Sequence, residues 1–231
     1  MKAFHSFTVL IIVSFIFAAC KKDSTSTGGN GSDIFSTCRL TERTDSTQNK
    51  TEYQYDSKGR LAYRIYINSV GDTTGIDTFN YVGSTMVGRA GTFDLNSNGD
   101  AIKMHYDPII LDLTYNDQGQ LTSIADVTNG FHSTYTWKDG NMVTETATST
   151  TTVTIENTYY MDKVNIFALT DRLQSFTGAQ NKNLLKSVKE TNGRNVTVTN
   201  YTYEFDAQGK VTRRICDGAN PVNYTCKWNC R

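Results

Sequence analysis

Two stretches near opposite ends of the chain share one grammar. The first is Tyr53-Gln-Tyr55-Asp56-Ser-Lys-Gly59-Arg60-Leu61-Ala-Tyr63-Arg64-Ile65; the second is Tyr201-Thr-Tyr203-Glu-Phe205-Asp206-Ala-Gln-Gly209-Lys-Val211-Thr-Arg-Arg-Ile215. Each reads as strand, tight turn, strand. Apolar residues alternate with polar ones on both sides of the turn, the period of a half-buried strand. On this reading Tyr53 and Tyr55 share one face, as do Leu61, Tyr63 and Ile65, with Arg60 and Arg64 pointing the opposite way. Asp56 supplies the side-chain acceptor that a type I turn favours at its first position. Gly59 can take the positive φ that lets the return strand begin, as in the longer hairpin connections.

Weaker copies follow. Leu95-Asn96-Ser-Asn98-Gly99 and Leu113-Thr-Tyr115-Asn116-Asp117-Gln-Gly119 carry Asn in the Asp slot, while Tyr135-Thr-Trp137-Lys138-Asp139-Gly140 is a residue shorter and reads as a two-residue turn. Gly99, Gly119 and Gly140 recur at intervals of about twenty residues, the length of two strands and two turns. Asn129-Gly130 and Asn192-Gly193 mark return turns. Successive hairpins of this kind build an antiparallel meander.

The chain divides into three parts. Residues 1–19 read as a targeting segment: Lys2, then an apolar run from Phe7 to Phe17 that is short for a transmembrane helix. It ends in Phe17-Ala18-Ala19-Cys20, which resembles the bacterial lipobox, with Phe17 where Leu or Val is usual. The resemblance implies cleavage before Cys20 and a lipid on that residue, hence a stable membrane anchor. Residues 20–37 are a Ser/Thr/Gly tether, and Lys22-Asp23 resembles a surface-export tag without its acidic run. Residues 38–231 are one β-meander domain, long enough for a sizeable core. Within it, 161–187 lack period two. Asp171 to Phe176 read as a turn or two of helix, and Phe167, Leu169, Leu173 and Phe176 suit an apolar cover over the sheet.

Lys and Arg total 23, as do Asp and Glu, so the net charge is zero. That argues against a nucleic-acid or anionic-surface partner, for which a basic stripe is expected. The outward strand positions read as Thr, Arg, Lys and Gln, which disfavours a transmembrane porin.

The Tyr-x-Tyr-Asp-x-x-Gly-x-Leu units, Asp162-Lys-x-Asn165 and Lys182-Asn-Leu-Leu-Lys-Ser-Val188 are similar to a family of Bacteroidetes-type lipoproteins of unknown function. Asn165-Ile166 stands where that family often has Asn-Pro. The likeness covers most of 50–215 and implies a porin-like antiparallel sheet. Single units also resemble the YD repeats of Rhs-type toxin shells. About six units are too few to close such a shell, so the expected fold is all-β: one antiparallel meander of roughly a dozen strands, curved into an open or half barrel and covered by 161–187.

Few residues suggest chemistry. An exported chain with four cysteines beyond Cys20 implies disulfides. Cys216 and Cys226 flank a hairpin-like Asp217-Gly218 and Pro221, so the expected pairs are Cys216–Cys226 and Cys38–Cys230; a four-thiolate zinc site is the alternative. Asp94, Asn96, Asn98 and Asp100 resemble the start of a calcium loop, but His105 occupies the place of the closing Glu, and the turn grammar explains the same residues. Asp107 and Asp112 form a formal carboxylate pair. Neither His105 nor His132 stands in a nucleophile motif, and no cofactor motif is present. Tyr63, Tyr135 and Trp137 are candidates for stacking on a sugar or peptide, against the plainer reading of cross-strand packing. The resulting expectation is an outer-membrane protein held by lipid at Cys20, facing either leaflet. It would not be an enzyme, and would bind a glycan, peptide or envelope protein. A purely structural lipoprotein and a hydrolase with an unrecognised site are the alternatives.

Overall fold

Asp56 does what its place in the repeat demands. Its Oδ1 accepts the backbone N–H groups of Lys58 and Arg60, each at 2.9 Å, while its carbonyl accepts from Gly59. Gly59 sits at φ 74°, open to glycine and costly for most side chains. The same bonding recurs at Asn96, Asn116 and Asp206, and at Asn68, which the repeat did not flag. Asp139 and Gly140 both take positive φ, the two-residue connection expected there.

In the computed structural model, residues 38–89, 91–126, 128–167, 178–218 and 223–230 are described. Among them the turns connect sixteen strands. In order these are β1 (Cys38–Asp45), β2 (Lys50–Tyr55), β3 (Leu61–Ile67), β4 (Thr73–Val82), β5 (Thr85–Gly88) and β6 (Gly91–Leu95). Next come β7 (Ala101–Tyr106), β8 (Ile109–Tyr115), β9 (Leu121–Asp126), β10 (His132–Lys138) and β11 (Asn141–Thr148). The last are β12 (Thr152–Val164), β13 (Asn183–Asn192), β14 (Asn195–Phe205), β15 (Val211–Asp217) and β16 (Tyr224–Cys230). Each pairs antiparallel with its neighbour in sequence, and β1 pairs with β16 from Cys38↔Cys230 to Asp45↔Tyr224. The sheet is therefore a closed barrel, which overturns the expected open or half barrel of about a dozen strands. The count fell short because β4, β5 and β6 are joined without an Asp/Asn-to-Gly repeat unit. Among the described residues closure leaves no unpaired sheet edge.

The Asp56, Asn96, Asn116 and Asp206 turns lie at one end, here the base, together with Cys38 and Cys230. The Asp45–Asn49 and Asn68–Asp72 turns lie at the other end, the mouth. Buried side chains occupy the interior in two large clusters. Leu40, Leu61, Leu184 and Val211 gather toward the base with Ile166 and Phe167, while Met86, Phe93, Met104, Leu113, Leu121, Ile124 and Met142 fill the opposite side. Phe79 packs against both.

The described parts of the β12–β13 connection lie across the base. Phe167 reaches Tyr224 and Trp228, with ring centroids 6.4 and 5.5 Å away. In the other direction Ala179 donates to the Gly119 carbonyl at 2.6 Å and Lys182 to Gly140 at 2.9 Å. Buried asparagines secure it: Asn181 Oδ1 accepts from Met142 N at 2.6 Å, and Asn141 and Asn183 exchange two hydrogen bonds. The expected helix at 171–176, and Leu169, Leu173 and Phe176, fall outside the described residues, as do the targeting segment and tether.

Candidate functional site

Every hairpin closed by a four-residue Asp/Asn-x-x-Gly turn also carries a bulge. In β2–β3 Tyr55 faces Leu61 but Gln54 faces Tyr63, so Ala62 is extra. One extra residue reverses every side chain beyond it. Leu61 points inward and is fully buried, yet Tyr63 points outward and is 43% exposed. The expectation that Leu61, Tyr63 and Ile65 share a face is thus corrected, and Arg64 turns into the barrel. The β14–β15 hairpin repeats the shift, with Phe205 facing Val211 and Glu204 facing Arg213, which sends Arg214 inward. Arg64 and Arg214 stand eight residues after Asp56 and Asp206. The same position holds Met104 after Asn96 and Ile124 after Asn116, both buried core residues. Two units of the repeat therefore place an arginine where the others place a hydrophobe.

These arginines, with Arg43 from β1, line a cavity of ≈ 680 Å³ inside the mouth. Tyr53, Tyr66 and Tyr224 form aromatic wall, and Asp45, Asn49, Lys50, Asn68 and Thr74 bring it to the rim. Arg43 stacks over Tyr53, Phe167 and Tyr224 at 5.4, 5.4 and 4.9 Å from the ring centroids. Arg214 lies 4.1 Å from the Tyr224 centroid and 5.2 Å from that of Tyr201. Stacking of this kind holds a guanidinium plane in place while leaving its edge able to donate.

The charges are unevenly answered. Arg64 donates from Nε at 3.0 Å and from Nη2 to Asp77, which also accepts the Tyr66 hydroxyl at 2.9 Å. Burial opposes ionisation of Asp77, but the hydrogen bonds from Arg64 and Tyr66 hold its carboxyl below the usual range. Burial, with the Asp77 carboxylate beside it, pushes Tyr66 up to about 12. Asp45 spends its carboxylate on the turn, accepting from Thr47 N at 2.8 Å and Asn49 N at 2.9 Å. Arg214 has no ion-pair partner among the described residues, and its buried Nε has no hydrogen-bond partner there.

The residues singled out from sequence lie elsewhere. Tyr135 and Trp137 point into the core, Tyr135 buried and Trp137 donating its indole N–H to the Leu121 carbonyl at 2.7 Å; with Tyr63 on the outside, the three make no common platform. The calcium candidates do not converge. Asn96 Oδ1 takes the N–H groups of Asn98 and Asp100, and Asp94 pairs with His105 Nε2 at 2.9 Å on the outer wall. Among the described residues no three His, Cys, Asp or Glu side chains could hold a metal. Asp112 faces Lys103 at 3.3 Å, while Asp107 sits in the turn before Pro108; His132 is on the outer wall opposite Thr148.

Cys38 and Cys230 are bonded. Cys216 and Cys226 are not, which corrects that expected pair and removes the four-thiolate zinc alternative. The β15–β16 register sets Arg213 against Thr225 and Arg214 against Tyr224, so Cys216 lies beyond one end of this pairing and Cys226 beyond the other. Four residues of strand separate them, about 13 Å, beyond the reach of a disulfide. Cys20 lies outside the described residues.

No protein-family model matches the chain, and no curated protein sequence matches it. Among solved structures it is similar to a porin-like protein from Bacteroides uniformis ATCC 8492, with a TM-score of 0.61 at 16% identity over 84% of this chain and 96% of that one. A porin-like protein from Bacteroides vulgatus ATCC 8482 gives a TM-score of 0.55 at 11% identity, over 82% and 98%. The likeness is one of fold.

Proposed function

We propose that the chain is a non-enzymatic binding module of the bacterial cell envelope, held to the outer membrane by lipid at Cys20 and taking its ligand into the mouth of the barrel. The arginine- and tyrosine-lined cavity carries this reading. Its size suits a small molecule or the end of a glycan or peptide, and it combines apolar wall with a few directed polar groups. The lipobox-like Phe17 to Cys20 supports the anchor.

A conduit is the rival that a porin-like fold suggests, and the side chains argue against it. The outer wall carries Lys103–Asp112, Lys189–Glu156, Arg213–Glu204 and Lys227–Glu42 ion pairs. Facing threonines cover β10 to β12, as at Thr134↔Thr146 and Thr146↔Thr154. A lipid-facing barrel needs a continuous apolar band there instead. Inside, the base is packed with Leu40, Leu61, Val211 and Phe167.

Glycan and peptide arrays probed with the detergent-solubilised full chain test the reading. Thr51 lines the cavity. A ligand should appear whose binding disappears in Thr51→Trp, which fills that space. Blank arrays, or binding indifferent to Thr51→Trp, would move the assignment to a structural lipoprotein or to another surface. In planar bilayers the protein should produce no steady conductance; stepwise channels would reject the binding module in favour of a pore.

A further inference from the structure

We infer that the mouth cavity recognises a carboxylate-bearing ring compound, gripped at its carboxylate by Arg214 and with its ring against the tyrosine-lined wall. This rests on the cavity being a binding site, and adds the chemistry of what it binds.

The lining side chains Arg43, Lys50, Arg64 and Arg214 stand against a single lining carboxylate, Asp45. Asp45 is turned to its own turn, and Arg64 is answered by Asp77 from the neighbouring strand. Arg214 differs from both. Its guanidinium carbon lies over the Tyr224 ring, 4.1 Å from the centroid, its Nε is buried with no hydrogen bond among the described residues, and no carboxylate there comes within ion-pairing range. A buried donor left without an acceptor is costly, so the site is short of an anion that the described residues do not supply. The guanidinium fork suits the two oxygens of a carboxylate better than a single acceptor. Tyr53, Tyr66 and Tyr224 supply aromatic wall to the same cavity, a surface suited to the apolar part of a ring.

The position of Arg214 in the repeat strengthens the case. Equivalent inward positions hold Met104 and Ile124, which are buried at no electrostatic cost. Arg64 in the twin unit comes with Asp77 as its counter-charge, 13 residues on. Arg214 comes without one among the described residues.

A uronic-acid saccharide and an aromatic acid share this chemistry. Calorimetric titration of the detergent-solubilised full chain separates them, using a uronic-acid disaccharide and its methyl ester, and naphthoate and naphthamide. One of the two acids should bind, roughly tenfold or more tighter than its uncharged counterpart, reflecting a charge-assisted bidentate contact. Arg214→Gln should weaken it by a similar factor, Arg214→Lys by less, and Thr51→Trp should abolish it. Thr51→Trp leaves the arginine in place, so it tests the site even where an Arg214 variant folds poorly.

Equal binding of acid and neutral counterpart, or an affinity unchanged by Arg214→Gln, overturns the anion assignment and leaves the cavity a binding site for something uncharged. Binding that survives Thr51→Trp places the ligand elsewhere and overturns the assignment too. No heat from any probe rejects this ligand class; the binding module itself falls only if the arrays are also blank.

Discussion

Glu145 faces Tyr135 across β10 and β11, inside the barrel wall, and is 8% exposed. Burial pushes its carboxyl from an ordinary 4.5 up to about 7, against the pull of the neighbouring Tyr135 and Ser133 hydroxyls. A carboxyl whose folded pKa is raised binds its proton more tightly in the folded state. Its contribution is therefore full below about 4.5 and is lost as pH rises through about 7. Glu145→Gln should flatten the pH dependence of stability over that window and stabilise the protein at pH 8 by roughly 3 kcal/mol. Urea unfolding at pH 5 and pH 8 reads this directly; a variant as pH-dependent as the parent would reject it. Individual residues were the least legible scale in the sequence. Arg64 and Arg214 sit in plain view in the repeat, but strict alternation assigns Arg64 to the outer face. Only the extra residue that follows each glycine turn reverses it. Aromatic residues drew attention as ligand platforms, yet Tyr135 and Trp137 serve the core, and the cavity is built from tyrosines that alternation marks as ordinary packing.

Hairpins were the legible scale. The Asp or Asn that opens each unit binds the next two backbone donors, so the turn is a local chemical fact that needs no tertiary context. The β12–β13 connection is different, since its course depends on what it crosses. Gly178 shows how closely it is fitted to the base. It has φ 87°, and a Cβ there would press on the Gly119 carbonyl and lie 2.6 Å from the Tyr115 ring. Gly178→Ala combines left-handed strain with overpacking and should cost about 2–3 kcal/mol. It should also raise hydrogen exchange at Ala179 N and Met142 N, whose partners belong to this contact. Stability and exchange like those of the parent would mean the connection is loosely seated. No repeat residue foretold this seat, because its acceptors, Gly119 and Gly140, are turn backbone contributed by other hairpins.

Closure belongs to the whole molecule. It depends on β1 meeting β16, the two most distant strands in sequence, and period-two patterning says nothing about such a meeting. The expectation that Cys38 bonds Cys230 contained the answer unrecognised, since a bridge between first and last strands is what a closed ring of antiparallel strands permits. That bridge spans 192 residues. In the chain-entropy account a loop of this length is worth about 5 kcal/mol. Cys38→Ser with Cys230→Ser should lower unfolding stability by up to that amount, with exchange rising first along the β1–β16 seam. A loss below about 1 kcal/mol would show that strand pairing alone seals the barrel. The bridge also fixes how the protein meets its surroundings. Chain arriving at Cys38 joins the molecule at its foot, beneath packed leucines and across the full height of the wall from Arg214. A support holding the molecule at that foot would leave the guanidinium-lined recess on the side turned away from it.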